Sequence, residues 1–230
     1  MRKLGLIGGI SWISTRTYYE QINRLVQKRE GARASPPLVI ECLDFRDFSR
    51  LETDEEWSRA TAVLVEAAKR LEQAGAGNIL ITANAMHRAF DDIVQAVSIP
   101  VLHIADCTGA RMSEKASQKS AILGTRAVMT ESFMRERLVS HGVDLMPPEP
   151  GHVEQLERLI SEELKLGKAS RDAERSLKSI ITWYEQHGAK SIILACTELE
   201  LVVDVDANVL PIYDTARIHC EGAVDWICGG

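Results

Sequence analysis

No apolar run in this chain approaches the roughly 20 residues that cross a bilayer. Its opening MRKLGLIGGI feeds charge straight into a strand, where a cleavable signal would carry a long apolar core. Neither a membrane span nor a secretory leader is therefore expected, and a cytoplasmic location is. Cationic excess is missing too. The 27 Lys and Arg face 33 Asp and Glu for a formal charge of −6, which argues against a general attraction to nucleic acid or anionic membranes. An anionic substrate stays open, because local basic residues decide that. Cysteines are few and odd in number: the five, at 42, 107, 196, 220 and 228, show neither CxxC nor metal-ligand spacing, so free thiols and no metal centre are expected. A GxGxxG turn is absent, which leaves a dinucleotide cofactor unsupported, and no linker or low-complexity segment interrupts the chain.

What the sequence does have is one phrase written twice. GAGNILITAN, residues 75–84, lies on GAKSIILACT, residues 188–197, without a gap. Each is a glycine turn followed by the short, wholly apolar run of a parallel strand covered on both faces. Ala83 falls on Cys196. A second pair, LGLIGG at 4–9 and SAILGT at 120–125, repeats a strand running into a glycine turn. Two copies of strand, turn, helix and strand predict an α/β fold of two similar lobes, each a mostly parallel sheet flanked by helices, related by a pseudo-twofold axis. Residues 1–100 plus 211–230 make the first lobe on this reading, and 101–210 the second. Ligands bind beyond the carboxyl ends of such strands, so Cys196 and position 83 are expected to flank one small molecule.

Other candidates follow in chain order. Gly8-Gly9-Ile10-Ser11 is a strand-to-helix turn whose backbone can approach a ligand and whose amides suit a carboxylate. Beyond a strand over 38–43, Arg46 and Arg50 sit in a loop, and a guanidinium fork matches a carboxylate. The tip Ala83-Asn84-Ala85-Met86-His87 offers Asn84 and His87 either as ligand contacts or as turn and packing residues. A strand over 101–105 leads to Asp106, read as a helix N-cap. Gly124-Thr125-Arg126 is another turn of carboxylate size. Lys165 lies in the last turn of a helix predicted over 154–166, where it complements the helix dipole or reaches toward the ligand as a second carboxylate clamp. A final strand over 209–213 precedes a helix from about Thr215 to Ile227.

With these tips in place the chain resembles the PLP-independent aspartate/glutamate racemase family, including its broader amino-acid racemase branch. The likeness covers nearly the whole length, carried by LGLIGGISW, AGAGNILITANAMH, LHIADCTG, AILGTR, ACTELELVV and LPIYDTARIH. The resemblance implies racemisation of a small acidic amino acid without cofactor or metal, by two thiols on opposite sides of the α-carbon. It also implies a homodimer, for which the exposed faces of the first lobe's helices are the plausible interface. The family's Cys-Thr-Glu motif is intact as Cys196-Thr197-Glu198, whereas its Cys-Asn-Thr-Ala-His motif stands as Ala83-Asn84-Ala85-Met86-His87. In the branch with Met before the His, threonine tends to replace the cysteine, so alanine departs even there. By the same likeness Ile10, Ser11, Asn84, Ala85, Thr125 and Thr197 contact substrate. Arg50 matches, across a gap, the arginine of dicarboxylate-specific members, and Lys165-Leu166-Gly167 matches their lysine before an x-Gly pair. An alanine cannot carry a proton, so racemisation is expected to be severely reduced. Thr82 is one residue out of register and points to the other face of its strand. Cys196 is expected to work as a thiolate, whose pKa cationic or helix-N-terminal surroundings can lower. Two other readings stay in view: a single-thiol relative of the maleate isomerase or decarboxylase type, and a module that binds an acidic amino acid without turning it over.

Overall fold

The structure, a computed structural model, describes residues 1–49, 51–113, 119–205 and 208–229. The chain forms two compact units, Met1–His103 with His219–Gly230, and Ile104–Ile218.

In the first unit, β1 (Leu4–Gly8) pairs in parallel with β2 (Leu38–Cys42) and β3 (Ile79–Ile81), and β3 pairs with β4 (Val101–Leu102), giving the order β2-β1-β3-β4. Leu4, Leu6, Ile7, Ile79, Leu80 and Ile81 are all fully buried, as consecutive residues must be in a sheet covered on both faces. The flanking helices are α1 (Trp12–Glu30), α2 (Asp54–Gln73) and α3 (Phe90–Ala96). The start of α2 is written into its sequence: Thr53 and Glu56 close a reciprocal capping box, and three acidic residues occupy the first turn. Its buried Trp57, Ala60, Leu64, Ala67, Ala68 and Leu71 recur at helical spacing and face the sheet core.

The second unit repeats the plan. β5 (Lys119–Gly124) pairs in parallel with β6 (Asp144–Leu145) and β7 (Ser191–Ala195), and β7 with β8 (Ile212–Asp214), in the order β6-β5-β7-β8. Its helices are α4 (Ile104–Met112), α5 (Arg126–Thr130), α6 (Ser132–Ser140), α7 (Pro150–Glu162) and α8 (Arg171–Gln186). The last helix, α9 (Thr215–Ile227), carries the chain back to the first unit. The sequence repeat thus returns as a repeated strand order, with β1 and β3 answered by β5 and β7.

Several boundaries differ from expectation. The predicted strand over 101–105 is only β4, because α4 begins at Ile104. Asp106 is therefore not an N-cap; its carboxylate accepts from Arg137 Nη1 at 2.8 Å and from His141 Nε2 at 3.3 Å, tying α4 to the end of α6. α7 starts earlier, at Pro150, where a missing N–H costs nothing, and ends at Glu162. Lys165 consequently sits on a separate 3-10 turn, Leu164–Leu166, closed by Gly167 at φ 75°. Because β8 bonds to β7, residues 212–218 pack with the second unit, and the changeovers fall at 103/104 and 218/219 where 100/101 and 210/211 were expected. Among the described residues no helix is long and apolar enough to cross a membrane, and no cluster of three or more His, Cys, Asp or Glu is placed to hold a metal ion.

Candidate active site

In the second unit the reactive tip follows from its local sequence. α8 ends at a turn through Gly188, at φ 97°, and five buried residues of β7 then deliver Cys196 in an extended conformation, φ −148° and ψ 123°. A 3-10 turn, Thr197–Leu201, begins at once and folds Glu198 back beside the residue two positions earlier. The Cys196 thiol donates to Glu198 Oε2 at 3.1 Å, with the two residues only 7% and 4% exposed. The turn that holds Lys165 packs on the turn that follows Cys196. Burial, first, and then the negative charge and hydrogen bond of Glu198 push the thiol's pKa well above its ordinary value, with the Lys165 cation pulling the other way and losing. The expected lowering by cationic surroundings is thus reversed. Two anions side by side in a low-dielectric site oppose each other, so the resting group is S–H.

Around this tip Thr125 lies at the end of β5, 9% exposed, and its hydroxyl has no hydrogen-bond partner among the described residues. The amide beside it is already committed: Arg126 N donates to Glu157 Oε2 at 2.6 Å. The turn read as a ready carboxylate site therefore holds one of the protein's own carboxylates. Two residues that the sequence reading did not single out fix the neighbouring strand. Thr215 Oγ1 donates to Leu194 O at 2.8 Å, and Asp214 accepts from the amides of Ala216 and Arg217 at 2.9 and 3.2 Å. The Asp-Thr pair between a strand and a helix was the available signal for both, since this is where an N-cap belongs.

In the first unit, the glycine after β1 serves the chain's approach to itself. Gly9 has φ 81°, and a Cβ there would meet Leu43 O at 2.2 Å. Its N–H donates to Thr15 Oγ1 at 2.8 Å, while the Thr15 hydroxyl donates to Ser11 O at 2.9 Å. Ser11 caps α1 through its own hydroxyl, and Ile10 and Ser11 are buried.

The β3 tip reproduces the β7 tip in backbone. Ala83 has φ −143° and ψ 125° and is followed by a 3-10 turn, Asn84–Ala89. The side chains differ throughout: Ala83 stands where Cys196 stands, Asn84 where Thr197 stands, Ala85 where Glu198 stands and His87 where Glu200 stands. Asn84 is buried and Ala85 packs partly on the hydrophobic core. His87 takes the packing role: Nδ1–H donates to Ala83 O at 3.1 Å, and its ring meets His103 and His219 edge-on with centroids 4.7 and 5.6 Å away. His219 Nε2–H donates to Leu102 O at 3.2 Å, leaving Nδ1 to accept from Tyr18 O–H at 3.0 Å. Of the two candidate arginines, Arg46 is held at the surface by Asp44, whose carboxyl that guanidinium draws down to about 2. Arg50 lies outside the described residues.

The β7 tip therefore presents a buried thiol hydrogen-bonded to a carboxylate and acted on by the charge of a lysine; at the matching place the first unit has a methyl group. Residues 7–223 match the model of the family described as Asp/Glu/hydantoin racemase. The broad-specificity amino-acid racemase RacX of Bacillus subtilis is 24% identical over 227 residues, spanning 96% of each chain. A Yersinia pestis crystal structure carrying an Asp/Glu racemase assignment is 37% identical, with a TM-score of 0.89 over 99% of this chain and 100% of that one. A crystal structure of an aspartate racemase homologue from Pyrococcus horikoshii is 31% identical, with a TM-score of 0.84 over the same shares.

Proposed function

The chain belongs to the Asp/Glu/hydantoin racemase family, and from that premise we propose that it removes and returns the α-proton of aspartate or glutamate, without cofactor, through Cys196. One observation carries this reading: a buried thiol at a strand tip, hydrogen-bonded to Glu198 and within reach of the charge of Lys165. The α-carbon of an amino acid is a far weaker acid than any side chain, so the base must be positioned, dry and held against a stabilised anion. Lys165, with Arg50, is given the substrate carboxylates, and Ile10, Ser11, Asn84, Ala85, Thr125 and Thr197 the remaining contacts. The uncommitted hydroxyl of Thr125 supports that assignment.

Inversion needs a second proton carrier on the opposite face, the place that the repeat gives to position 83. Ala83 cannot serve, so the chain as it stands exchanges the α-hydrogen of one enantiomer with solvent and interconverts the two poorly or not at all. Nuclear magnetic resonance in deuterium oxide should show one-sided loss of the α-hydrogen signal, abolished by Cys196→Ala. Circular dichroism should show D/L interconversion rising in Ala83→Cys and, more weakly, Ala83→Thr. No exchange in the parent and no gain in either variant would remove the assignment. Ala83 also favours a second reading, a single-thiol decarboxylase of substituted malonates, which release of carbon dioxide would identify. Pairing of two chains belongs to the reading as well, supported by Trp12 and Tyr19, which stand 64% and 50% exposed on α1.

A further inference from the structure

We propose that Glu163 is a positioning residue of this site: its carboxylate closes the loop over 163–170 and so holds Lys165 against the turn that follows Cys196. The inference rests on the reading of Lys165 given above, as a group that meets substrate carboxylates. Helix α7 ends at Glu162, and Glu163 leaves the helical path at φ −127° and ψ −64°. From there residue 163 closes the loop three times. Its carbonyl accepts from Leu166 N at 3.1 Å and from Lys168 N at 3.2 Å, and its Oε1 accepts from Ser170 N at 2.8 Å. Ser170 is in turn fixed as the N-cap of α8, its hydroxyl accepting from Ala173 N at 3.0 Å. Inside the loop Leu164 is fully buried, Gly167 turns the chain at φ 75°, and the Leu164–Leu166 turn packs on the Thr197–Leu201 turn.

A lysine is a point charge on a flexible stem, so where it acts depends on how firmly its backbone is held. The charged groups here have separate partners. Hydrogen bonds from Ser170, first, and the charge of Lys168 hold the Glu163 carboxyl below its ordinary value, whereas Lys165 acts on the Cys196 thiol, where it opposes burial and the charge of Glu198. Glu163 is therefore ionised wherever an acidic amino acid carries both its carboxylates, and the loop is closed over that whole range. Loosening the loop moves no reacting atom. It lets the cation swing away from thiol and substrate alike, a loss that a residue serving the fold alone would not cause.

The test starts from the resting chain without substrate. Alkylation of Cys196 by iodoacetamide is followed against pH by peptide mass spectrometry, with the exposed Cys42 as internal reference. Lys165→Met should move the Cys196 profile up by about one pH unit. Glu163→Asp keeps the charge but falls a methylene short of the Ser170 amide, and should move the profile up by less; Glu163→Gln, which keeps an acceptor at full length, should return most of the way. In a Lys165→Met chain, Glu163→Asp should have no effect. Ser170→Asp is the second variant: it keeps an N-cap for α8, sets a like charge against Glu163 and should raise the profile as well. In α-deuterium exchange of aspartate, Glu163→Asp should raise KM about fivefold with kcat changed less. A profile that Glu163→Asp and Ser170→Asp leave unmoved, or move equally with and without Lys165, overturns the positioning role. A shift that depends on Lys165, in a chain that exchanges no amino acid, leaves that role standing and sinks the activity assignment.

Discussion

His219 is fully buried, and desolvation, with the neighbouring His87, holds its pKa well below the ordinary 6.5. The unfolded chain takes up a proton near that ordinary value while the folded chain does not. The stability is therefore complete above it and is lost as pH falls below it. Thermal unfolding followed from about pH 7.5 to about pH 5.5 should show Tm falling, with the slope flattened in His219→Gln. At this scale the sequence was informative about chemistry and less so about partners. Cys196-Thr197-Glu198 could be read as a reactive triplet, but a pair two apart meets only when the backbone turns immediately, and no glycine or proline announces the turn at 197–201. His87 stood equally as ligand contact and packing residue. The structure turns it into the core because His103 and His219, far off in sequence, supply ring faces.

Gly109 shows what helix contacts ask of single positions. A Cβ there would lie 2.6 Å from Cγ and 2.7 Å from Cβ of His141, at the end of α6, in the contact that Asp106 also secures. Neither of those atoms is the free end of a flexible side chain. Gly109→Ala should therefore destabilise the second unit by about 1–3 kcal/mol, despite better helix propensity, as read from urea unfolding. Long elements carry their own signals, as the Thr53–Glu56 capping box and the helical spacing of buried residues in α2 show. Short ones do not. The helix predicted over 154–166 ran past its true end because Leu164 and Leu166 continue the apolar pattern, and no stop signal precedes Gly167. β4 and β8 have two and three residues, too few to display an alternation.

For the whole molecule the repeat was the decisive signal, since two matched segments at a long offset require two similar sheets. The changeover near 218 was placed early because a three-residue strand carries no mark of the sheet it joins. The near-identity of the torsions at 83 and 196 reaches beyond the present chain. On the proposed reading the two tips are matched supports in backbone, so handedness follows from which of them carries the cysteine. In a double variant, Ala83→Cys with Cys196→Ala, deuterium should enter the mirror image of whichever amino acid the parent labels, read by chiral chromatography with mass detection. Labelling of the same enantiomer in both proteins would mean that the ancestral doubling no longer encodes a choice of hand.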